Sequence, residues 1–354
     1  MNMKDTISIG HGGGGRLARD LIKNLFLRHL NNPKLAPLGD SAVFELNGSK
    51  IALTTDSFVV KPIFFPGGDI GKLAVCGTVN DLSVVGARPL YLSCGIIIEE
   101  GFSLKDLESI TLSIKESADK AGVEVVTGDT KVIEKSQSVR ESVGRASPLS
   151  GASSPTSNIF INTAGIGVIE SSIELGMDKI NTGDKIILSG TIGEHGIAVI
   201  SKREGFDFES TIESDCAALN GLIEKILKTG CIKFMRDPTR GGLAAVLNEI
   251  AEDGSLEIKI DEDAIPVRDD VKGICSMLGL DPFYIANEGK VVIVAAKGDA
   301  ENILRTLHND PLGQNASIIG EVTGKGKYGV YLKTPYGGTR ILDMPVDDPL
   351  PRIC

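Results

Sequence analysis

The sequence has no apolar run approaching the roughly 20 residues that a membrane span needs, which argues against a helical membrane protein. Basic residues are not in excess. With 37 Lys and Arg against 47 Asp and Glu, the formal net charge is -10, and no local Lys/Arg stripe compensates for it, so a nucleic-acid partner is not expected. The six cysteines never fall in C-x-x-C spacing and there are only four histidines, so neither a disulfide framework nor a zinc site is indicated. Met1 to Gly15 lacks the basic segment and apolar core of a signal peptide, and the expected location is cytoplasmic.

What is present is the composition of a globular protein, 42% hydrophobic and 24% charged, in 354 residues. That length exceeds what one hydrophobic core usually serves and predicts two α/β domains. Leu17, Leu21, Ile22, Leu25 and Phe26 recur at the spacing of one helix face behind the glycines of Gly10 to Gly15. Val43 to Leu46 and Ile51 to Thr54 read as strands around an Asn47-Gly48 turn, the second ending at Asp56. Helical periodicity covers Ile70 to Val85 and Leu104 to Ala118. Val123 to Thr127 reads as a strand ending at Gly128-Asp129, and Ile159 to Ile169 as a long strand. Strands at Lys185 to Ser189, Leu256 to Ile260 and Val291 to Ala296 and helices near Cys216 to Lys228 and Gly241 to Glu252 make a second unit.

The expected division is 1–169, 170–342 and a tail, 343–354, whose Pro345, Pro349 and Pro351 forbid a helix and favour an extended, mobile segment. Glu134 to Asn158 is rich in Ser, Arg, Pro and Gly and reads as a disordered insertion. Cys76, Cys94, Cys216 and Cys231 sit among apolar residues and read as buried fillers. Cys354 stands apart as the last residue of an extended tail that spans at most about 40 Å, enough to reach an internal cleft and also to swing outward.

Two patterns carry chemistry. Gly12, Gly13 and Gly14, in I-G-H-G-G-G-G, offer unhindered backbone N–H groups before a helix, a geometry that holds phosphate, although the G-K-[ST] ending of a Walker loop is missing. Asp40, Asp56, Asp81, Asp129 and Asp237 each sit in a short polar turn beside an apolar stretch. Any one of them fits a turn or an N-cap. Five beside a phosphate loop fit a hard cation bridging carboxylates to nucleotide phosphates.

The stretch from Thr54 to Leu82, with D-P-T-R-G-G-L-A and the ending D-P-L-P-R-I-C, resembles the hydrogenase-maturation carbamoyl dehydratase (HypE) family, in the superfamily of aminoimidazole ribonucleotide synthetase and selenophosphate synthetase. The likeness covers nearly the whole chain apart from Glu134 to Asn158. It implies an α/β (α+β) two-domain aminoimidazole ribonucleotide synthetase-like fold with a flexible C-terminal tail and a homodimer formed through the N-terminal, ATP-binding domains. Asp40, Asp56, Asp81 and Asp237 match the positions that hold Mg²⁺, and ATP would lie between the glycines and these residues, with Asn80 and Asp129 also on the nucleotide. The implied reaction starts when Cys354 receives a carbamoyl group from a carbamoyltransferase (HypF). The S-carboxamide is then dehydrated to a thiocyanate with ATP, and the cyano group passes to an iron scaffold (HypC–HypD). Lys131 and Glu288 match family positions near the carboxamide and are assigned polarisation and proton transfer, and a surface ion pair is their plain alternative. His195 in G-E-H-G is a second base candidate or a structural histidine.

Other readings differ in what they ask of the sequence. Small-molecule ATP enzymes of the superfamily need no terminal thiol, and selenophosphate synthetase wants a reactive Cys or selenocysteine where His11 stands. A non-catalytic scaffold would only present Cys354 to partners.

Overall fold

The computed structural model describes residues 6–135, 158–205, 212–347, 350 and 352–354, so the expected insertion falls almost wholly outside the described residues. The chain opens with a helical segment, Arg16–Leu21 (α1) and Leu27–Leu30 (α2), joined through a wide turn at Ile22–Phe26. Its expected apolar face is not buried, since Ile22, Leu25 and Phe26 stay exposed. The segment is held by charge instead: Arg19 reaches Glu252 and Asp253, and Lys23 reaches Glu252 at 3.0 Å.

Strands β1 (Ala42–Leu46) and β2 (Ser49–Phe58) form the expected hairpin. Asn47 and Gly48 both take positive φ, 51° and 80°, as a two-residue primed turn requires. β2 continues past Asp56 to Phe58 because the later strand Ile159–Ile169 pairs with it that far. A two-stranded ribbon, β3 (Phe64–Phe65) and β4 (Gly68–Asp69), leads into α3 (Ile70–Val84). The Asp69 carboxylate caps this helix by accepting from Gly71 N and Lys72 N at 2.7 and 3.1 Å. Nearly every α3 residue is buried, the mark of a helix covered on all sides.

Next come β5 (Ala87–Glu99), α4 (Leu104–Ala121), β6 (Glu124–Ile133) and β7 (Ile159–Ile169). The first sheet has the order β1-β2-β7-β5-β6, with only β5 and β6 parallel, joined by α4. β6 does not stop at Gly128. It pairs with β5 through Asp129 and Lys131 to Ile133.

The second sheet is built from β8 (Lys185–Leu188), β9 (Ile232–Arg236), β10 (Leu256–Asp261), β11 (Val292–Ala295), β12 (Ser317–Lys325), β13 (Gly329–Lys333) and β14 (Thr339–Ile341), in the order β14-β13-β10-β12-β8-β11-β9. Its helices are α5 (Glu194–Glu204), α6 (Asn220–Leu227), α7 (Gly242–Gly254), α8 (Asp269–Leu278) and α9 (Ala300–His308). α6 starts later than expected because the residues before it run extended across α3, where Leu219 N donates to Asn80 Oδ1 at 2.8 Å. One apolar cluster joins α3, through Leu73 and Val79, to α5 and to Ile285. The face of α3 that carries Asp81 therefore looks into the groove between the two sheets. Cys76 and Cys216 are buried as expected and Cys94 half-buried. Cys231 is exposed, because it precedes the edge strand β9.

Candidate active site

That groove holds a cavity of about 460 Å³. Gly14, Asp40, Asp56, Asp81, Asp237, Glu288 and Cys354 all line it, together with Arg240. Thr54 arranges two of the acids, its Oγ1 lying 2.8 Å from both Asp40 O and Asp81 Oδ2 with one hydrogen to share between them. Asp40 pairs with the buried Arg236 at 3.0 Å, and Arg236 also holds Glu249 at 2.7 Å.

The acids carry more negative charge than their surroundings neutralise. Burial first, then Asp237, Asp40 and Asp56, push the Asp81 carboxyl well above the usual range. Burial and Asp40 push Asp237 up to about 8, and burial raises Asp56 against the pull of Arg240. Glu288 is 2% exposed and its Oε1 has no protein partner. Burial, followed by Asp237, Asp215 and Asp56, raises it far above an ordinary glutamate. Its backbone is pinned by Asp215, which accepts from Glu288 N at 3.0 Å and from Lys290 Nζ at 2.9 Å. Only glycine fits at 289, where a Cβ would stand 1.9 Å from Asp215 O. Arg240 supplies the facing cation. The charge on Cys354 is the leading cause of its raised pKa, followed, after opposing burial, by Asp56 and Glu288.

Buried carboxylates with raised pKa values suit a divalent cation. Among the described residues no three His, Cys, Asp or Glu side chains converge into a closed cage. Mg²⁺ fits such a partial set, because it keeps water and phosphate oxygens beside one or two carboxylates. The linkage has a defined sign. An acid whose folded pKa exceeds its unfolded value binds more protons when folded, so the ligand-free protein loses stability as pH rises from about 4 to about 8, the window set by Asp237. The loss is expected to be on the order of a few kcal/mol, and saturating Mg²⁺ with nucleotide should flatten it. Melting curves between pH 6 and 8, with and without both ligands, check this.

Five expected site residues, Asn80, Asp129, Lys131, Gly12 and Gly13, are placed differently. Asn80 is 1% exposed and turned away from the cavity, its amide donating to Ala217 O at 3.1 Å. It ties α3 to the second sheet's side of the molecule. Asp129 and Lys131 pair with each other at 2.9 Å on the edge strand β6 and line a separate hollow with Phe160 and Asn162. Within one chain Lys131 is therefore not brought to Cys354, because β6 is longer than expected and exposed along its whole length. Of the glycines, Gly14 faces the cavity, with φ of 75° and its Cα packed on Arg240, whereas Gly12 meets Arg240 through its carbonyl at 3.1 Å and Gly13 does not line the cavity.

The described residues of the tail are docked. Pro345 O and Val346 O accept from Arg16 N and Leu17 N at 2.9 and 3.1 Å, so the first two N–H groups of α1, just beyond the glycines expected to hold phosphate, are taken. Leu350 and Ile353 belong to the main apolar cluster. Val59 N and Lys61 N donate to Cys354 O and Arg352 O at 3.2 and 3.1 Å, and Arg352 is exposed. Arg236, Arg240, Thr54 and Asp215 were not singled out from the sequence. D-P-T-R-G-G contains Arg240, and a buried acid cluster's need for a cation was the signal available.

Residues 38–169 match the family described as AIR synthase related protein, N-terminal domain, and residues 181–333 its C-terminal domain. The chain is 45% identical over 350 residues to the carbamoyl dehydratase HypE of Rhizobium leguminosarum bv. viciae, covering 98% of this chain and 95% of that one. It is similar to a chain of a HypE–HypF complex (47% identity, TM-score 0.82, 92% and 99% covered). It is also similar to the hydrogenase maturation protein HypE in complex with ATP (45% identity, TM-score 0.78, 99% and 100% covered). The chain thus belongs to the AIR synthase related proteins and, among them, to the HypE carbamoyl dehydratases.

Proposed function

We propose that this chain dehydrates an S-carboxamide carried on Cys354 to a thiocyanate, using ATP, and so supplies cyanide ligands for the iron centre of a [NiFe]-hydrogenase. The observation that carries the reading is the meeting of Cys354 with Asp56, Asp81, Asp237, Arg240 and Glu288 in one cavity. The carboxamide oxygen leaves poorly as hydroxide. Transfer of the γ-phosphoryl group to it makes a phosphate that departs with the C–O bond, while the nitrogen gives up both protons and C≡N forms. Mg²⁺ would be held by one or two of Asp56, Asp81 and Asp237 together with water and phosphate oxygens, and would supply positive charge that offsets the phosphates. Asp40 would join these acids on leaving Arg236. Glu288 Oε1 is the unpartnered atom suited to accept a proton, and Arg240 stands where negative charge develops.

The partners follow from the same reading: a HypF-type carbamoyltransferase as donor and a HypC–HypD iron scaffold as acceptor, in the cytoplasm. Among the described residues no helix is long and apolar enough to cross a membrane. A homodimer is supported by the first sheet. Leu53, Ile166 and Tyr91 are cross-strand neighbours on one face and all three are exposed. Lys131, opposite Ile97, which is itself opposite Phe160, lies on that same face by the alternation of β7, so a second copy seated there would cover it.

Asp81→Asn tests the reading. Turnover with ATP should fall by at least about 10²-fold, since one preorganised charge-stabilising group is lost, with no fall in melting temperature. Undiminished turnover in this variant would remove the aspartates from the mechanism.

A further inference from the structure

His195, on the first turn of α5, is fully buried, and both ring nitrogens are engaged. Nε2 lies 2.6 Å from Ile353 O and Nδ1 2.7 Å from Ser214 Oγ. A carbonyl only accepts, so Nε2 carries a proton. Ser214 Oγ accepts from Cys216 N at 3.1 Å, which leaves its own hydrogen for Nδ1. Burial lowers the His195 pKa, against the opposing influence of Asp215, and so favours this neutral form. The Phe65 ring, edge-on at 5.4 Å, closes the pocket.

The last three residues offer their carbonyls in two directions. Arg352 O and Cys354 O point to the 59–61 segment and are taken by Lys61 N and Val59 N, and Arg203 adds a second donor to Arg352 O at 2.6 Å. Ile353 O points the other way, where His195 meets it. We propose that His195 is a positioning residue, a latch that fixes the residue before Cys354 so that the thiol is held in the cavity for dehydration. This rests on the carrier function proposed above. The latch acts on the docked state alone, so it should govern the chemical step and the shielding of Cys354, and leave loading from outside intact.

Two variants separate a latch from a merely structural histidine. His195→Leu keeps an apolar group and removes the donor, while His195→Gln keeps an amide N–H at the reach of Nε2. The folded proteins are treated with iodoacetamide, and alkylation of Cys354 is followed by peptide mass spectrometry with the exposed Cys231 as internal reference. His195→Leu should raise the Cys354 rate by about tenfold, the worth of one hydrogen bond, with Cys231 unchanged. Carbamoyl-loaded His195→Leu should dehydrate about tenfold more slowly at an unchanged KM for ATP, and His195→Gln should recover most of both effects. If His195→Leu does not fold, Ser214→Ala, which frees the ring to adopt the wrong tautomer, should give an intermediate rise in alkylation. An unchanged Cys354 rate in a folded variant overturns the latch. A wild-type protein that shields Cys354 but never dehydrates it overturns the proposed function and leaves the latch standing.

Discussion

Glu288→Gln should load a carbamoyl group at the wild-type rate and then stall, with the dehydration step slowed by about 10²- to 10⁴-fold, the usual worth of a positioned proton-transfer group. The glutamine matches the acid in shape and removes only its ability to lose and regain a proton. Its surroundings are fixed independently of the side chain, because Asp215 holds the 288–290 backbone and Lys290 neutralises Asp215. The raised pKa of Glu288 reflects burial and three neighbouring carboxyls, so the neutral variant should melt no lower than wild type. Intact-protein mass spectrometry with donor and ATP should show the carboxamide accumulating. Rapid conversion in this variant would move the proton transfer to another group.

Cys354→Ser should abolish loading altogether, since a thiolate is the nucleophile and a serine hydroxyl is far weaker near neutral pH. The other thiols cannot take over. Cys76, Cys216 and Cys275 are buried and Cys94 half-buried, with a Cys76 contact and then burial raising Cys216, burial raising Cys94, and burial raising Cys275 to about 11. Cys231 is exposed but does not line the cavity. The serine variant keeps the tail's backbone contacts and should fold and bind nucleotide normally. Removal of the tail after Asp343 is a harsher change. It takes Leu350 and Ile353 out of the core, at about 1.5 to 3 kcal/mol each, so the truncated protein should lose stability as well as loading.

Local chemistry is what made much of this fold legible. The Asn47-Gly48 turn, the β-branched run of Ile159–Ile169 and the periodicity of Leu104 to Ala118 are each written in neighbouring residues, and the elements appear where those signals stand, the helix running on to Ala121. The acidic cluster was legible as a set, because Asp40, Asp56, Asp81 and Asp237 all end or interrupt apolar segments that bury together. Orientation was not legible. Asn80 and Asp81 are adjacent, yet about 100° of helix rotation sends one into the packing against Ala217 and the other into the cavity. Within one chain Lys131 lies away from Cys354 because β6 continues past Gly128 and Asp129, and nothing local announces that continuation. That extension comes from pairing with Ile96 to Glu99 on β5. The docked tail depends on His195 and Arg203, some 150 residues away, and on two apolar side chains among prolines that read as a mobile linker.

The most direct test of the carrier assignment is the mass of the Cys354 peptide in wild-type protein, followed first with a carbamoyl donor and then with MgATP. The expected result is a gain of one carbamoyl group on Cys354 and, only after ATP is added, the loss of one water from that same peptide. A carbamoyl group found and converted on a different residue, or a carboxamide on Cys354 that persists while ATP is hydrolysed, would contradict it.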